Sequence, residues 1–199
     1  MPSPIGHSLA GAIVGLSANH LIRKTRPATA VPASLVLACV TLAALPDIDL
    51  LFMPLHRTIT HSFTAAITTM IIAAAVTRQV TGRIDWAVAF ACGAAVASHL
   101  LCDWLGEDFN QPRGVQALWP WSDQWFISDW DVFRNTERRN LFSWATIRHN
   151  AITGAQELLL LGPLTALVWR ATKGGPRRAG GPGRAGGSGR AGGSGRDQA

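Results

Sequence analysis

Charge is scarce in this chain. Only 15% of its 199 residues are Asp, Glu, Lys or Arg, whereas 48% are hydrophobic. Much of that charge also lies outside the apolar segments, which disfavours an ordinary soluble domain. From Lys173 onward, six cations (Lys173, Arg177, Arg178, Arg184, Arg190, Arg196) stand against Asp197, so the tail holds +5 of the formal +6. The body is therefore nearly neutral. The pI of about 10.5 describes the tail and gives little reason to expect nucleic-acid binding by the folded part. Cysteine is scarce too. Cys39, Cys92 and Cys102 sit in apolar runs without CxxC spacing, which argues against a disulfide framework. Cys102 lies beside polar motifs, but a buried Cys more often behaves as a small hydrophobe than as a soft ligand. No Lys or Arg precedes the first apolar run, so a mature first helix is expected there, without a cleavable signal peptide.

What the chain does have is apolar segments of helical length. Its size leaves room for about four or five membrane helices of roughly 20 residues. The first is expected from about Ile5 to Ile22, rich in small residues (Gly11, Ala12, Gly15, Ser17, Ala18) that suit close helix packing, and ending at Arg23, Lys24 and Arg26. The second follows Pro32 and is interrupted by Pro46, which has no N–H and disfavours helical geometry before it. The third is expected to start near Thr60 as N-cap and run to Arg78, with Arg83 closing the turn. A fourth spans about Asp85 to Leu105, and a fifth Ala151 to Val168, ending at Arg170. Between them, Gly106 to Asn150 holds Trp119, Trp121, Trp125, Trp130 and Trp144, with Trp104 just before, so six of the eight tryptophans gather at one loop. Tryptophan favours the membrane interface. The expected fold is thus all-α: a polytopic membrane bundle of about five transmembrane helices (residues 1–172) with a Trp-rich interfacial loop. A disordered Arg/Gly tail (173–199) follows, repeating Arg-Ala-Gly-Gly-(Pro/Ser)-Gly from Arg178. The tail's arginines could contact anionic lipid headgroups.

Against this background the stretch Leu45–Ser62 stands out. LPDIDLL followed by HRTITHS places Asp47, Asp49, His56 and His61 in apolar surroundings, where unpaired ionisable groups cost several kcal/mol. They need partners. The positive-inside rule assigns the Arg23–Arg26 turn, the Arg78–Arg83 turn and the tail to the cytoplasm, and the N-terminus outside. The loop's own cations, Arg113, Arg134, Arg138, Arg139 and Arg148, weaken that assignment, although six acids offset them. Whatever the direction, His7, Asp47, Asp49, His56, His61, His99, Asp103 and Glu157 all fall at the membrane face opposite the basic turns. His99 and Asp103 are four residues apart, so both project from one helical face and can share a cation. Asp47 and Asp49 would point to nearly opposite sides of a regular helix, unless the chain unwinds after Pro46 around a cavity. His20 lies at the basic end and receives no role. His149 reads equally as an interfacial, solvated residue, and Arg57 could bind a phosphate or pair with an acid.

Together GHSLAG (Gly6 to Gly11), LPDIDLL, HRTITHS, SHLLCD (Ser98 to Asp103), LWPWSD (Leu118 to Asp123) and QELLLL (Gln156 to Leu161) resemble the YdjM-like family, described as LexA-regulated, membrane-bound, metal-dependent hydrolases of the bacterial inner membrane. The resemblance covers about Pro4 to Leu164. Two departures stand out. Thr58 replaces a common Gly, and WLGEDFNQPRG follows Asp103 in place of a Thr/Gly-rich turn. The resemblance implies a site of His7, Asp47, Asp49, His56, His61, His99, Asp103 and Glu157. A mixed His/carboxylate set suits Zn²⁺ or another divalent metal, which would activate water and polarise an ester or phosphoryl oxygen. Glu157, Asp47 or Asp49 would act as the base. The expected substrate is a lipid-like ester or phosphoester, with membrane lipids as surroundings and the site on the extracytoplasmic face. The alternative from another class is a divalent-metal-binding membrane protein or transporter without hydrolysis.

Overall fold

The computed structural model describes residues 1–26 and 34–173, apart from the side chains of residues 51–55. Five helices carry the fold: α1 (Pro4–Thr25), α2 (Ser34–Ala44), α3 (Phe63–Thr81), α4 (Trp86–Trp104) and α5 (Trp144–Lys173). A 3-10 segment, Leu45–Leu55, joins α2 to α3. Among the described residues there is no strand, only two isolated bridges, Gly106 to Phe133 and Val115 to Phe126. The expected all-helical membrane bundle is therefore what the chain forms. α1, α3, α4 and α5 are each long and apolar enough to cross a membrane. α2 differs. Its 11 residues reach about 16 Å at about 1.5 Å each, roughly half of a hydrocarbon core. The helix stops where Pro46 makes an i→i−4 bond impossible, and the tighter 3-10 winding carries Asp47 and Asp49 onward.

Helix boundaries follow local capping. α3 begins two residues later than Thr60 suggests, because Ser62 is extended (φ −129°, ψ 157°) and its hydroxyl accepts the Ala65 N–H. Thr60 is not the cap; its hydroxyl donates to Asp49 instead. At the other end α3 runs on to Thr81, where Gly82 adopts φ +74° and closes the helix. Asp85 caps α4 by accepting from Ala87 and Val88. α5 begins seven residues before Ala151, at Trp144, with Ser143 accepting the Thr146 N–H. The polar run ATIRHN hides this turn from a hydropathy reading. Pro32 and the Arg/Gly tail beyond Lys173 lie outside the described residues.

Packing sets one end of the bundle apart from the other. A Cβ on Gly11 would overlap the Cys39 carbonyl and come within 2.6 Å of the Ala43 Cβ, so α1 and α2 approach backbone to backbone. Ile22, Leu35, Cys39, Ala43, Ala91, Cys92 and Ala95 form an apolar cluster between α1, α2 and α4. At the basic end Arg26 meets Asp85 at 3.2 Å, which sets the end of α1 beside the start of α4. α3 and α5 turn exposed faces outward, including Ile67, Ile71, Val76, Leu159 and Leu167, as lipid-facing helices do. The Trp-rich connection folds back over the opposite end. There Phe63 and Gln116 donate to the carbonyls of Ala117 and Arg57, and the Thr64 hydroxyl donates to Trp119.

Candidate metal centre

At that opposite end, α1 supplies His7 from its first turns, the 3-10 segment supplies Asp47 and Asp49, and the turn before α3 supplies His61. α4 supplies His99 and Asp103 from its last turns. His7, His61 and His99 are fully buried, and Asp103 is 1% exposed. Asp103 lies at the middle: its carboxylate is 3.0 Å from His99 Nε2, 3.3 Å from His61 Nε2 and 3.5 Å from His7 Nε2. Asp47 stands 3.8 Å from both His7 and His61. The His7 and His99 rings stack at 3.7 Å, with His61 edge-on to His99 at 4.7 Å.

These groups are close but do not satisfy one another. Among the described residues, the buried side-chain polar atoms without a hydrogen-bond partner are both nitrogens of His7, both oxygens of Asp103, Asp47 Oδ2, His61 Nε2, His99 Nε2 and Thr136 Oγ1. All but the last belong to this cluster. A bare buried polar atom costs about 1–3 kcal/mol, and a cation shared among these lone pairs is one arrangement that would compensate such a concentration. Two sets, His7/Asp47/His99 and His61/His99/Asp103, each offer ligand atoms within 4.8 Å of one another. Three imidazoles with carboxylates fit a divalent metal of the zinc type.

The surrounding hydrogen bonds fix the orientation of the rings. His99 Nδ1 is 2.7 Å from the Ala43 carbonyl; a carbonyl only accepts, so Nδ1 donates there and Nε2 faces the cluster. His61 Nδ1 is 3.1 Å from Asp49 Oδ2, which leaves its Nε2 inward as well. Burial alone would lower the His61 pKa, but the carboxylates of Asp47 and Asp49 outweigh it and raise it to about 9. For Asp49, burial pushes upward and is overcome by hydrogen bonds from His56, His61 and Thr60, which hold it well below the usual carboxylate range. Carboxylates that stabilise a proton on His61 would stabilise a dication in its place.

The remaining sequence-derived residues occupy other positions. His56 lies one layer out. Its Nδ1 meets Asp49 at 2.6 Å and its Nε2 faces Arg138 at 2.9 Å, although Asp49, His56 and His61 also form a third set of close ligand atoms. Glu157 is fully buried and accepts from Ser3 N, Ser3 Oγ and Gly6 N, so its carboxylate anchors the start of α1, just ahead of His7. Arg57 pairs with the buried Asp108 and lies over Trp125, which settles its two sequence readings in favour of an acid partner. His149 bonds the Asn135 carbonyl at 2.9 Å, outside the cluster. Cys102 packs with Ala10 and Phe133 as a hydrophobe. Sequence reasoning misses Arg138, which reaches both His56 and Asp47, the latter at 3.5 Å. Arg138 looks there like one of several loop cations, and nothing in its spacing marks it.

Fold and site together define a multi-pass helical membrane protein with a buried His/carboxylate cluster at one end. The chain belongs to the family described as YdjM inner membrane protein, whose match covers residues 1–175. It is similar to inner membrane protein YbcI of Escherichia coli (strain K12), 27% identical over 146 residues, covering 67% of this chain and 76% of that protein. No solved structure matches the chain.

Proposed function

We propose that this protein is a membrane-bound, metal-dependent hydrolase acting on an ester or phosphoester of a lipid-like substrate. The observation that carries the reading is the convergence of inward imidazole nitrogens on the buried Asp103 carboxylate, whose oxygens make no hydrogen bond among the described residues. His7, His61, His99, Asp103 and Asp47 would hold the metal; Asp49 orients His61, and His56 braces Asp49. A bound divalent ion supplies charge to polarise the scissile ester and lowers the pKa of water. Of the carboxylates considered as base, Glu157 is committed to the α1 N-terminus. Both Asp49 oxygens have partners, in His56 and Thr60. Asp47 is left to take the proton, on whichever of its oxygens does not hold the ion. The extracytoplasmic face remains the proposed side, from the basic turns at the other end.

The transport alternative needs a polar route through the other half of the bundle. Ile22, Leu35, Cys39, Ala91, Cys92 and Ala95 fill that region instead. Hydrolysis of short-chain esters and phosphoesters by protein purified in detergent, before and after chelation and Zn²⁺ return, is the test. Turnover that disappears on chelation, returns with metal and is absent in His61→Ala and His99→Ala is the expected result. Metal-loaded wild type without turnover on any ester, together with uptake of the metal into liposomes, would reverse the choice.

A further inference from the structure

An open cavity of about 980 Å³ lies beside the His/Asp cluster, lined by His56 and Arg138, which contact Asp49 and Asp47. Its lining combines the cations Arg57, Arg138 and Arg139 with the acids Asp108 and Glu137 and the apolar Leu50, Phe109 and Leu141. The arginines are not equivalent. Arg57 is neutralised by Asp108, which also accepts the Gly114 and Asn110 N–H groups. Arg138 donates to His56 Nε2 at 2.9 Å and makes a longer ion pair with Asp47 at 3.5 Å, which leaves part of its guanidinium turned to the cavity. Its side chain is 30% exposed. Among the described residues the Arg139 guanidinium makes no ion pair or hydrogen bond; the nearby Glu137 spends Oε1 on the backbone N–H groups of Arg138 and Arg139. The Arg139 guanidinium, and that of Arg138 beyond its long ion pair with Asp47, therefore face the open space. A planar fork in that situation matches the oxygens of a phosphate. Phe109 (70% exposed) and Leu141 supply exposed apolar surface in the same lining.

Resting on the hydrolase reading above, we propose that the cavity receives the phosphate of an anionic, phosphate-bearing ester, with Arg138 as the specificity-determining residue that holds it beside the His/Asp cluster. The charge that a substrate phosphate lacks partners for in an apolar groove is supplied here by Arg138 and Arg139, while Leu50, Phe109 and Leu141 accommodate whatever chain it carries.

Calorimetric titration of the full chain in non-ionic detergent with dihexanoyl phosphatidic acid, glycerol 3-phosphate and uncharged dihexanoylglycerol tests this. Metal content is read on the same samples. Saturable binding of the phosphate-bearing ligands, weakened about ten-fold or more by Arg138→Gln and partly recovered in Arg138→Lys, is expected. Equal affinity for the two phosphate ligands identifies the phosphate alone as what is recognised, as in a soluble ester; a strong preference for phosphatidic acid identifies a lipid headgroup. Dihexanoylglycerol binding as tightly as phosphatidic acid to wild type overturns the proposal, and that comparison requires no variant to fold. Unchanged affinity in a folded Arg138→Gln protein overturns it equally. Metal-dependent cleavage of uncharged esters alone would leave the hydrolase reading standing without this one. Arg138-dependent phosphate binding in a chain that takes up no metal would do the reverse.

Discussion

Asp49 shows how much of the site depends on residues that need not touch a metal. It accepts from His56, Thr60 and the Arg57 N–H, and fixes the proton of His61 on Nδ1. Asp49→Asn should lower metal affinity on the order of 10–100-fold while the helical content stays as in wild type, measured by competition with a chelating dye and by circular dichroism. The pH dependence has a definite sign. Without metal, the His61 pKa is raised to about 9, so its contribution to stability is complete below about pH 6.5 and is lost as pH rises through about 9. Asp49 is depressed, so its contribution is complete above about pH 4 and is lost only well into acid. Chelated protein should therefore unfold more easily at pH 9.5 than at pH 6. Loading metal should remove that alkaline decline, because the His61 proton is displaced. A decline that persists unchanged would remove His61 from the ligands. Glu157 gives a further distinction at this scale. As the anchor of Ser3 and Gly6, its replacement in Glu157→Ala leaves bare donors at about 1–3 kcal/mol each and should lower the unfolding temperature. Glu157→Gln should retain part of both fold and turnover. Complete loss of turnover at unchanged stability would make Glu157 the base after all.

Among the elements, α1 and α2 define the site's depth. Gly11 lets α1 lie against the Cys39 carbonyl, and Gly15 does the same at Val36, where a Cβ would sit 2.9 Å from Cα. Gly11→Leu should cost about 1–3 kcal/mol by forcing these helices apart, seen as a lower unfolding temperature. Gly162→Ala meets nothing within 4 Å and should be neutral or stabilising by up to about 1 kcal/mol. The elements themselves are legible in the sequence, because runs of apolar residues bounded by Arg and Pro leave few alternatives to a membrane helix. Their ends are less so. The 3-10 winding after Ala44 depends on how Pro46 is accommodated, and the early start of α5 depends on Ser143 and a polar turn, neither of which hydropathy registers. In the site, His99 and Asp103 are readable from their four-residue spacing. The separation of His56 from His61 is not, since it depends on where Asp49 and Arg138 arrive in space.

At the level of the whole molecule, the co-location of polar motifs at one end could be read from the sequence because they alternate between the starts and the ends of successive apolar runs, which an up-and-down bundle brings to one face. Direction across the membrane is a separate matter. In Phe142→Cys and Arg170→Cys proteins a membrane-impermeant thiol reagent applied to intact cells should label residue 142 and not residue 170; the native cysteines are buried and should contribute little. The reverse pattern would put the site on the cytoplasmic side. The proposed metal centre is tested most directly by elemental analysis of wild-type protein purified in detergent without added metal or chelator. About one or more divalent ions per chain is expected, on the order of the ligand sets that His7, Asp47, His61, His99 and Asp103 provide. A folded, monodisperse wild-type preparation that contains no divalent metal and binds none when Zn²⁺, Mn²⁺ or Fe²⁺ is supplied would contradict it.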